Sequence, residues 1–595
     1  MVRDRDVCRL SLRGYLIPSS DLPSGSLIMR LLSILLIVLL AMFSIGLGLT
    51  VMWNSSSGKA SAGASMPAFL GGKPQGHVYS CATGEPSDVN PFTTYDPQAI
   101  GLVLAYTHDT LLDRDPKTAE LRPALAEQFE VSVDGLTCTF TMREAIVFAD
   151  GTPVTMADVL FGWELAKAGH LQLGAAAQCF QRVENVESLD ERRFRVHFKD
   201  RQFAGLAAVG LGWTVASKAF FIGRVQRALD GGEAMPAVDS ERFATLLDQI
   251  NYECGPGTGP YSLHNDPDGV SNWRRRQELL LTRNELSWRR IVRPGTWNFE
   301  GMRILVHESA GQQNALLLGK IDWFYSPQID QLLAAQPKLA SNYQKFVFDF
   351  PKLGCYRIVW NFTKKPFDDV RVRRAMGMLV NQAEVEKVFA GSARPAMAHA
   401  KFGSRAYPNV DPIAFDPSGA RKLLREAGFD PENGKPLRMT LLTYQGNEQV
   451  RRMAELFAGA AKQAGVELEV HVRESSGVTA DKKLNEWHGL LQVQYFESWG
   501  DPHRFLHSDG LENEGKWSNP EADRLATAAR LEFDAGRRED LWRELHELAY
   551  REQPATLIVH PLASMLLNKD IEDCTPGPLG LKPNHAWVAP ENQRK

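Results

Sequence analysis

The sequence lacks the features that mark several large classes of protein. No Cys-x-x-Cys pair occurs among its seven cysteines, which argues against a structural zinc site. Its 67 basic and 71 acidic residues are mixed along the chain and give a net charge of −4, so there is no basic field of the kind that attracts nucleic acid. We therefore expect no nucleic-acid partner.

The motifs of common hydrolases are absent as well. There is no Gly-x-Ser-x-Gly or His-Glu-x-x-His, and "HESAG" at 307–311 has the wrong spacing for zinc. His503 and His507 stand four residues apart without a third ligand, and "GPGTGP" at 255–260 lacks the Gly-Lys-Ser/Thr ending of a phosphate-binding loop. We predict no catalytic residue, metal or cofactor; a secreted hydrolase is the less favoured alternative.

An uncharged, largely apolar run occupies residues 31–53. As a helix rising about 1.5 Å per residue it would span about 34 Å, enough to cross a bilayer. Arginines precede it and the small-residue segment 54–75 follows; since positive residues stay inside, we expect export of the remainder. No Leu-x-Gly-Cys lipobox follows the run. The run is a transmembrane anchor or a cleaved signal, with "ASAGA" at 60–64 as a candidate cleavage region. Residues 1–30 are a cytoplasmic tail, unless Met29 is the true start.

Cysteines of an exported chain meet an oxidising compartment, so one or more disulfides can form here, although spacing does not determine their pairing. The candidates are Cys81, Cys138, Cys179, Cys254, Cys355 and Cys574.

Strand and helix patterns alternate in the exported part. "RFRVHF" at 193–198 alternates apolar and polar residues, as a half-buried strand does. Thr155 and Asp158 form a variant of the capping box that opens a helix. Strand–helix–strand units are predicted around 303–327 and at 438–473. This order predicts an α/β fold with parallel sheets and helices on their faces.

The segment "NFTKKPFDDVRVRRAMGMLVNQAEV" at 361–385 is unusually rich in arginine. Asp368 or Asp369 can cap a helix here. Five apolar residues recur at helical spacing and predict one buried stripe: Val372, Ala375, Met376, Leu379 and Val380. We predict that Arg371, Arg373 and Arg374 lie largely off this stripe, on a solvated or domain-facing surface.

A family resemblance rests on several stretches that occur in order along the chain. They include "PALAEQFEVSVDGLTCTFTMREAIVFADGTPVTMADVLFGWE" at 123–164, "GTGPYSL" at 257–263, "ALLLGKIDWFY" at 315–325, "NFTKKPFDDVRVRRAM" at 361–376 and "KWSNPEADRL" at 516–525. Across about residues 76–580 the chain resembles the family 5 extracellular solute-binding proteins, the oligopeptide- and dipeptide-binding components of bacterial ABC importers.

The resemblance implies a two-lobed, hinged fold of the periplasmic-binding-protein type II kind, with an extra domain inserted early. Domain I would comprise residues 76–110, 250–345 and 556–595. Domain II would comprise 111–249, and domain III 346–555. The chain would cross between lobes near 345–350 and 553–557.

The implied function is capture of a peptide or similar small solute between the lobes and its delivery to an ABC transporter permease. We expect a monomer outside the cytoplasm, in the periplasm, held at the inner membrane by residues 31–53 unless that run is cleaved. A membrane-anchored sensory or orphan binding protein is the alternative. Whether the ligand is a peptide, an opine, a sugar or a nickel complex stays open.

Candidate ligand contacts on one lobe lie in "LLQVQYFESWGDPHRF" at 490–505, because ligand groups gather beyond the carboxyl ends of strands. They are Tyr495, Trp499 and Asp501. In the resembled family a Trp-x-x-Asp stretch before Asp-Pro supplies the carboxylate that pairs with a peptide amino terminus; this loop is shorter, and Asp501 matches the Asp of Asp-Pro. Asp501 is therefore either a ligand carboxylate or a helix cap, and Trp499 either a core residue or a binding platform.

Two loops rich in glycine and proline supply the candidates on the other lobe. They are "ATGEPSDVNPF" at 82–92 and "GPGTGPY" at 255–261, whose backbone can approach a ligand closely. Within them we predict Glu85, Asn90 and Thr258 as ligand contacts.

Overall fold

A computed structural model describes residues 76–594, except 117–119, 173, 175, 230–232, 265–270, 327, 350–353, 496–500 and 578. All of these residues belong to one compact unit. The apolar run at 31–53 and Trp499 lie outside the described residues. Among the helices of the described ranges, none has both the length and the apolar character that a bilayer crossing requires.

The described chain is a mixed α/β structure. Its strands are β1 (Val78–Thr83), β2 (Leu112–Arg114), β3 (Leu121–Pro123), β4 (Ala126–Val131), β5 (Thr137–Met142), β6 (Val183–Ser188), β7 (Arg193–Phe198), β8 (Tyr261–Ser262), β9 (Trp273–Arg274), β10 (Glu278–Arg283), β11 (Gly301–Val306), β12 (Trp323–Tyr325), β13 (Tyr343–Phe348), β14 (Cys355–Trp360), β15 (Ala393–Pro395), β16 (Leu437–Tyr444), β17 (Val466–Arg473), β18 (Gly489–Gln494), β19 (Ala555–Pro561), β20 (Ala563–Asn568), β21 (Ile571–Glu572) and β22 (Trp587–Val588).

Helices connect most of these strands. They are α1 (Ala105–Thr107), α2 (Met156–Ala168), α3 (Phe203–Gly212), α4 (Lys218–Arg227), α5 (Glu241–Asp248), α6 (Arg289–Val292), α7 (Ser309–Leu317), α8 (Ile329–Ala335), α9 (Leu339–Asn342), α10 (Val370–Gly377), α11 (Gln382–Val388), α12 (Pro417–Glu426), α13 (Glu448–Gln463), α14 (Ser475–Leu484), α15 (His503–Leu506), α16 (Pro520–Leu531) and α17 (Ala535–Glu552). A π-helical stretch, Ala99–Leu104, leads into α1.

The described strands form four sheets of three or more strands. One sheet runs β1-β11-β10-β8 with β9 beside β10, and a second runs β12-β20-β13. The sheet β4-β5-β7-β6 comes from the early middle of the chain and is antiparallel throughout. The largest runs β15-β19-β14-β18-β16-β17, with β17, β16 and β18 parallel to one another.

The chain passes between the three-stranded and the six-stranded sheet twice. The first passage lies between the end of β13 and the start of β14, and the second between Pro561 and Ala563. β19 pairs with β14 and belongs to the six-stranded sheet, so the second passage follows this strand. The domain boundaries stay predictions.

Several elements that were predicted from local sequence patterns are confirmed. Thr155 and Asp158 make the predicted capping box at the start of α2. β7 alternates buried and more exposed residues as predicted. At 438–473 the strand–helix–strand unit is confirmed, with β16 parallel to β17 and Gly465 in the left-handed region (φ +81°) just after α13.

The arginine-rich helix was predicted correctly except at Arg373, and Arg371 and Arg374 are exposed as predicted. Asp369 caps α10 and the five residues of the apolar stripe are all buried. However, Arg373 is also buried, at 2 % exposure. Its guanidinium donates to the carbonyls of Phe367 and Glu552, each at 2.9 Å. The prediction of a surface position for Arg373 was wrong because these partners come from outside the helix.

The unit at 303–327 has the predicted order but not the predicted pairing. β11 lies in the sheet of β1, whereas β12 pairs antiparallel with β20 in another sheet. Order along the sequence did not reveal this, since the partner strand lies more than 200 residues further on.

The beginning and the end of the described chain meet at one buried carboxylate. Asp322 has no exposed side-chain surface and accepts from the backbone N–H of Ser80 at 2.8 Å. The ring of His77 lies 3.1 Å away, and Arg594 and Asn568 donate to the other carboxylate oxygen. These contacts hold residues from the start and from the end of the described chain beside the same carboxylate.

The six cysteines of the described chain are all buried, and all are free thiols. The structure thus contains none of the disulfides that export would allow among them.

Candidate functional site

Glu85 lies in the loop after β1, where it holds a neighbouring hairpin. Its Oε1 accepts from the indole N–H of Trp273 (3.2 Å) and the backbone N–H of Arg276 (3.0 Å), and lies 2.8 Å from Nε of Arg275. Arg275 in turn stacks over the rings of Tyr252 and Trp273. The carboxylate that was predicted as a ligand contact is already engaged by this arginine.

Asn90 and Thr258 are buried structural residues with no exposed surface. Asn90 donates to the carbonyls of Leu247 and Ile250 and accepts from the backbone N–H of Phe92, so it ties its loop to the end of α5. Thr258 accepts from the backbone N–H of Asp109 at 3.3 Å. Both side chains are enclosed by protein in this conformation, and their role as ligand contacts stays a prediction.

Asp501 lies just before the short helix α15, whose N-cap residue is Pro502. Its Oδ1 accepts from the backbone N–H of His503 at 3.1 Å, and its Oδ2 accepts from Nε of Arg530 at 2.5 Å. The role of Asp501 as a ligand carboxylate stays a prediction. A ligand ammonium at Asp501 would compete with Arg530 for the same charge.

Among the predicted contacts that the structure describes, Tyr495 has the most accessible side chain. It follows β18 directly and is 68 % exposed. β18 is flanked by β14 and β16 in the six-stranded sheet, so Tyr495 stands at the carboxyl end of a central strand, where ligands of α/β sheets gather.

A layer of buried and half-buried polar side chains lies beside this strand end, and sequence reasoning missed it. We call it the polar layer; its members are Arg357, His399, Gln492, Gln494, Glu512 and Glu514. Arg357, on β14, donates to Oε1 of Gln494 at 2.5 Å, and its other Nη lies 3.3 Å from Nε2 of His399. Gln492 in turn donates to Glu514, and Gln494 donates to Glu512. The alternation "LQVQ" opposite an arginine in a buried strand was the available signal.

Burial lowers the pKa values of the two basic side chains in the polar layer, Arg357 and His399. Arg357 is 2 % exposed and its nearest carboxylate, on Glu514, is 4.0 Å away. Burial therefore lowers the pKa of Arg357, while Glu512 and Glu514 oppose the shift. Burial and the neighbouring Arg357 hold the pKa of His399 well below its usual range, so this ring is neutral at pH 7. The layer thus carries one buried cation that orients Gln494, next to Tyr495.

Close backbone packing beside the polar layer gives a stability prediction. Gly354 has φ +68°, and a Cβ atom there would overlap the carbonyl oxygen of Gln494. We expect Gly354→Ala to lower the free energy of unfolding by more than about 2 kcal/mol, because backbone strain adds to a steric overlap. Urea denaturation measures it.

The matched control is Gly403→Ala. Gly403 has φ +74° but nothing within 4 Å of the new Cβ position. We expect Gly403→Ala to lower the free energy of unfolding by about 1 kcal/mol, from backbone strain alone. Equal losses in the two variants would show that the approach to Gln494 does not matter.

Comparison with known proteins identifies the class of the fold. The structure resembles that of HbpA2 from Haemophilus parasuis, with a TM-score of 0.71 at 18 % sequence identity, over 86 % of this chain and 99 % of that one. This likeness shows a shared α/β fold. Residues 120–517 match the family model described as "Bacterial extracellular solute-binding proteins, family 5 Middle".

The family match covers well over half of the chain. The chain therefore belongs to the family 5 extracellular solute-binding proteins. Two curated relatives are similar over most of their length. The di/tripeptide-binding protein 2 of Pseudomonas aeruginosa is 24 % identical, over 78 % of this chain and 86 % of the relative. The dipeptide-binding protein of Escherichia coli is 23 % identical, over 84 % and 92 %. The sequence-based family assignment is confirmed, and the family is one of binding proteins.

Proposed function

We propose that this protein captures a peptide or similar small solute outside the cytoplasm and delivers it to the permease of an ABC importer. The observation that carries the proposal is the family match over residues 120–517, together with relatives that are named as dipeptide- and di/tripeptide-binding proteins. In this proposal the protein acts in the periplasm, and residues 31–53 anchor it or direct its export.

The proposed binding cleft lies between two lobes. One lobe comprises the sheets of β1 and β12 with the inserted domain at 111–249, and the other is built on the six-stranded sheet. Two chain passages between the three-stranded and six-stranded sheets support this division, since hinges are formed by a few connecting residues. Tyr495 is the proposed ligand contact on the second lobe; Glu85 and Asp501 would take part only by exchanging their arginine partners.

Recovery of ligands tests the proposal. The purified chain is mixed with a library of di- to nonapeptides, and the bound compounds are identified by mass spectrometry while the melting temperature is followed. A ligand at 100 times its Kd should add about 2.7 kcal/mol to the free energy of unfolding. Accumulation of a cleaved product with time would contradict the proposal, and the absence of any retained peptide would contradict a peptide as the ligand.

A contact between the inserted domain and the second lobe supports closure. Phe203 on α3 packs edge-on against Phe533, with ring centroids 6.4 Å apart. The guanidinium of Arg538 lies 3.5 Å from the Phe203 centroid. This arrangement links residues about 330 positions apart in the sequence. In the proposed mechanism it stabilises the closed arrangement, which a bound solute stabilises further.

Removing this contact should open the molecule. We expect Phe203→Ala to cost the closed arrangement about 1–3 kcal/mol of apolar and cation–π interaction, which is about 5- to 150-fold in the ratio of closed to open forms. Small-angle X-ray scattering should then report a larger radius of gyration than for the unchanged protein.

Phe402→Ala is the matched control, because Phe402 packs with Tyr407 and lies under Arg394 within the second lobe. It removes a similar aromatic and cation–π contact but should leave the radius of gyration unchanged. The same radius for Phe203→Ala and the unchanged protein would rule out a latch at this contact.

A further inference from the structure

A cavity of about 40 Å³ lies within the part of the chain built on the six-stranded sheet. It is bordered by the end of α10, the segments 396–399 and 412–413, the last turns of α17 and the start of β19. A water molecule needs about 10–15 Å³ of this volume, so the cavity has room for about three waters, or for the few heavy atoms of a small organic molecule.

Two hydrogen-bond acceptors on its wall have no partner in the described part of the chain. His546 is 2 % exposed, and its Nδ1 lies 3.0 Å from the carbonyl oxygen of Ala406. Since a carbonyl only accepts, Nδ1 carries the hydrogen and Nε2 is an acceptor. This Nε2 is buried without a partner among the described residues.

Gln382 supplies the second acceptor. Its Nε2 donates to the carbonyl oxygen of Ile558 at 3.1 Å, which assigns the orientation of the amide. Oε1 is consequently the free end, and it too is buried without a described partner. Both residues line the cavity.

The wall also determines what charge an occupant can carry. None of the described lining residues is Asp, Glu, Lys or Arg, so neither a cation nor an anion would find a counter-charge. Burial lowers the pKa of His546 to about 4, and the ring is neutral at pH 7. The remaining wall combines apolar side chains, such as Val380, Ile413 and Leu557, with the polar side chains of Tyr550 and Thr556. These features favour an occupant that is neutral, offers donors and has a small apolar part.

We propose that this cavity binds a small diol, whose two hydroxyl groups donate to Nε2 of His546 and Oε1 of Gln382 while its carbon atoms contact the apolar wall. The site is separate from Tyr495 and independent of the solute that the protein transports.

Three probes that differ in donor number test this proposal on the full chain by saturation-transfer NMR. They are 1,2-propanediol with two donors, 2-propanol with one, and acetone with none. We expect saturable binding of the diol with a Kd of about 1–50 mM. 2-Propanol should bind about tenfold more weakly, and acetone should give no saturable signal. Equal signals for the three probes, or a crystal soaked in the diol that shows only ordered water in the cavity, would overturn the proposal.

Variants locate the binding. Ala549 lines the cavity, so Ala549→Leu should fill it and weaken diol binding at least tenfold. Ala535→Leu is the control on the exposed start of the same helix and should bind normally. Gln382→Met keeps the volume but removes one acceptor, so the advantage of the diol over 2-propanol should disappear. Unchanged diol binding in both cavity variants would refute the assignment.

Discussion

Replacing Asp109 by alanine is expected to lower the free energy of unfolding by about 3–5 kcal/mol, because it leaves a buried arginine without its main counter-charge. Asp109 is 3 % and Arg289 7 % exposed. Oδ1 of Asp109 accepts from Arg289 at 2.6 and 2.9 Å, and Oδ2 accepts from the indole N–H of Trp288 at 2.7 Å. Urea denaturation measures the loss.

A double variant distinguishes two effects of Asp109→Ala: the loss of the partner of Arg289, and the loss of side-chain volume. In Asp109→Leu with Arg289→Met both charges are gone, and much of the stability should return, since a buried ion pair is often no better than an apolar pair of similar size. Asp113 also lies near Arg289, at 3.5 Å, but is 30 % exposed. Asp113→Ala should therefore cost less than Asp109→Ala. A loss below about 1 kcal/mol for Asp109→Ala would show that Arg289 is adequately neutralised by other groups.

Acidification should destabilise the protein between pH 6.5 and about 4, before the carboxylates with lowered pKa values titrate. Burial lowers the pKa of His77, His108 and His546 to about 4 in the folded protein. In the unfolded chain their pKa is about 6.5. The unfolded chain therefore binds protons first, and the stability that is present above pH 6.5 is lost as the pH falls towards 4. Each fully buried histidine contributes up to about 3 kcal/mol to this loss.

His108→Gln isolates one of these contributions. His108 is 5 % exposed, and its Nδ1 bonds to the hydroxyl of Thr107 at 2.9 Å. The variant is expected to be less stable at pH 7 but to lose less stability than the unchanged protein between pH 6.5 and 4, as followed by urea denaturation at each pH. His170→Gln, at an exposed position, should leave the slope unchanged. If the slope of His108→Gln equals that of the unchanged protein, His108 does not titrate in this window.

Which parts of the structure could be predicted depended on how far along the chain the responsible partners lie. The capping box of α2 and the apolar stripe of α10 involve residues a few positions apart, and both were predicted correctly. The parallel pair β16 and β17 is joined by a single helix, and it too was predicted. Arg373 was misplaced because its partner Glu552 lies 179 positions away. The same reason explains the pairing of β12 with β20.

The candidate site illustrates the same limit for polar residues. A loop rich in glycine and proline signals close backbone approach, but it does not reveal whether the polar side chains within it face solvent. Asn90 and Thr258 turned inward because distant backbone groups needed hydrogen-bond partners. Asp501 was open between two roles, since the sequence did not show Arg530 beside it. The polar layer was overlooked because strands β14 and β18 become neighbours only in the folded sheet.

The carboxylate of Asp322 joins His77 to Arg594, and β20 completes a sheet with strands that are made more than 200 residues earlier. Folding of this half of the molecule therefore requires that β20 and Arg594 are already present, and until then β12 and β13 lack the strand that lies between them. Removal of Arg594 would consequently weaken contacts near His77, at the opposite end of the described chain.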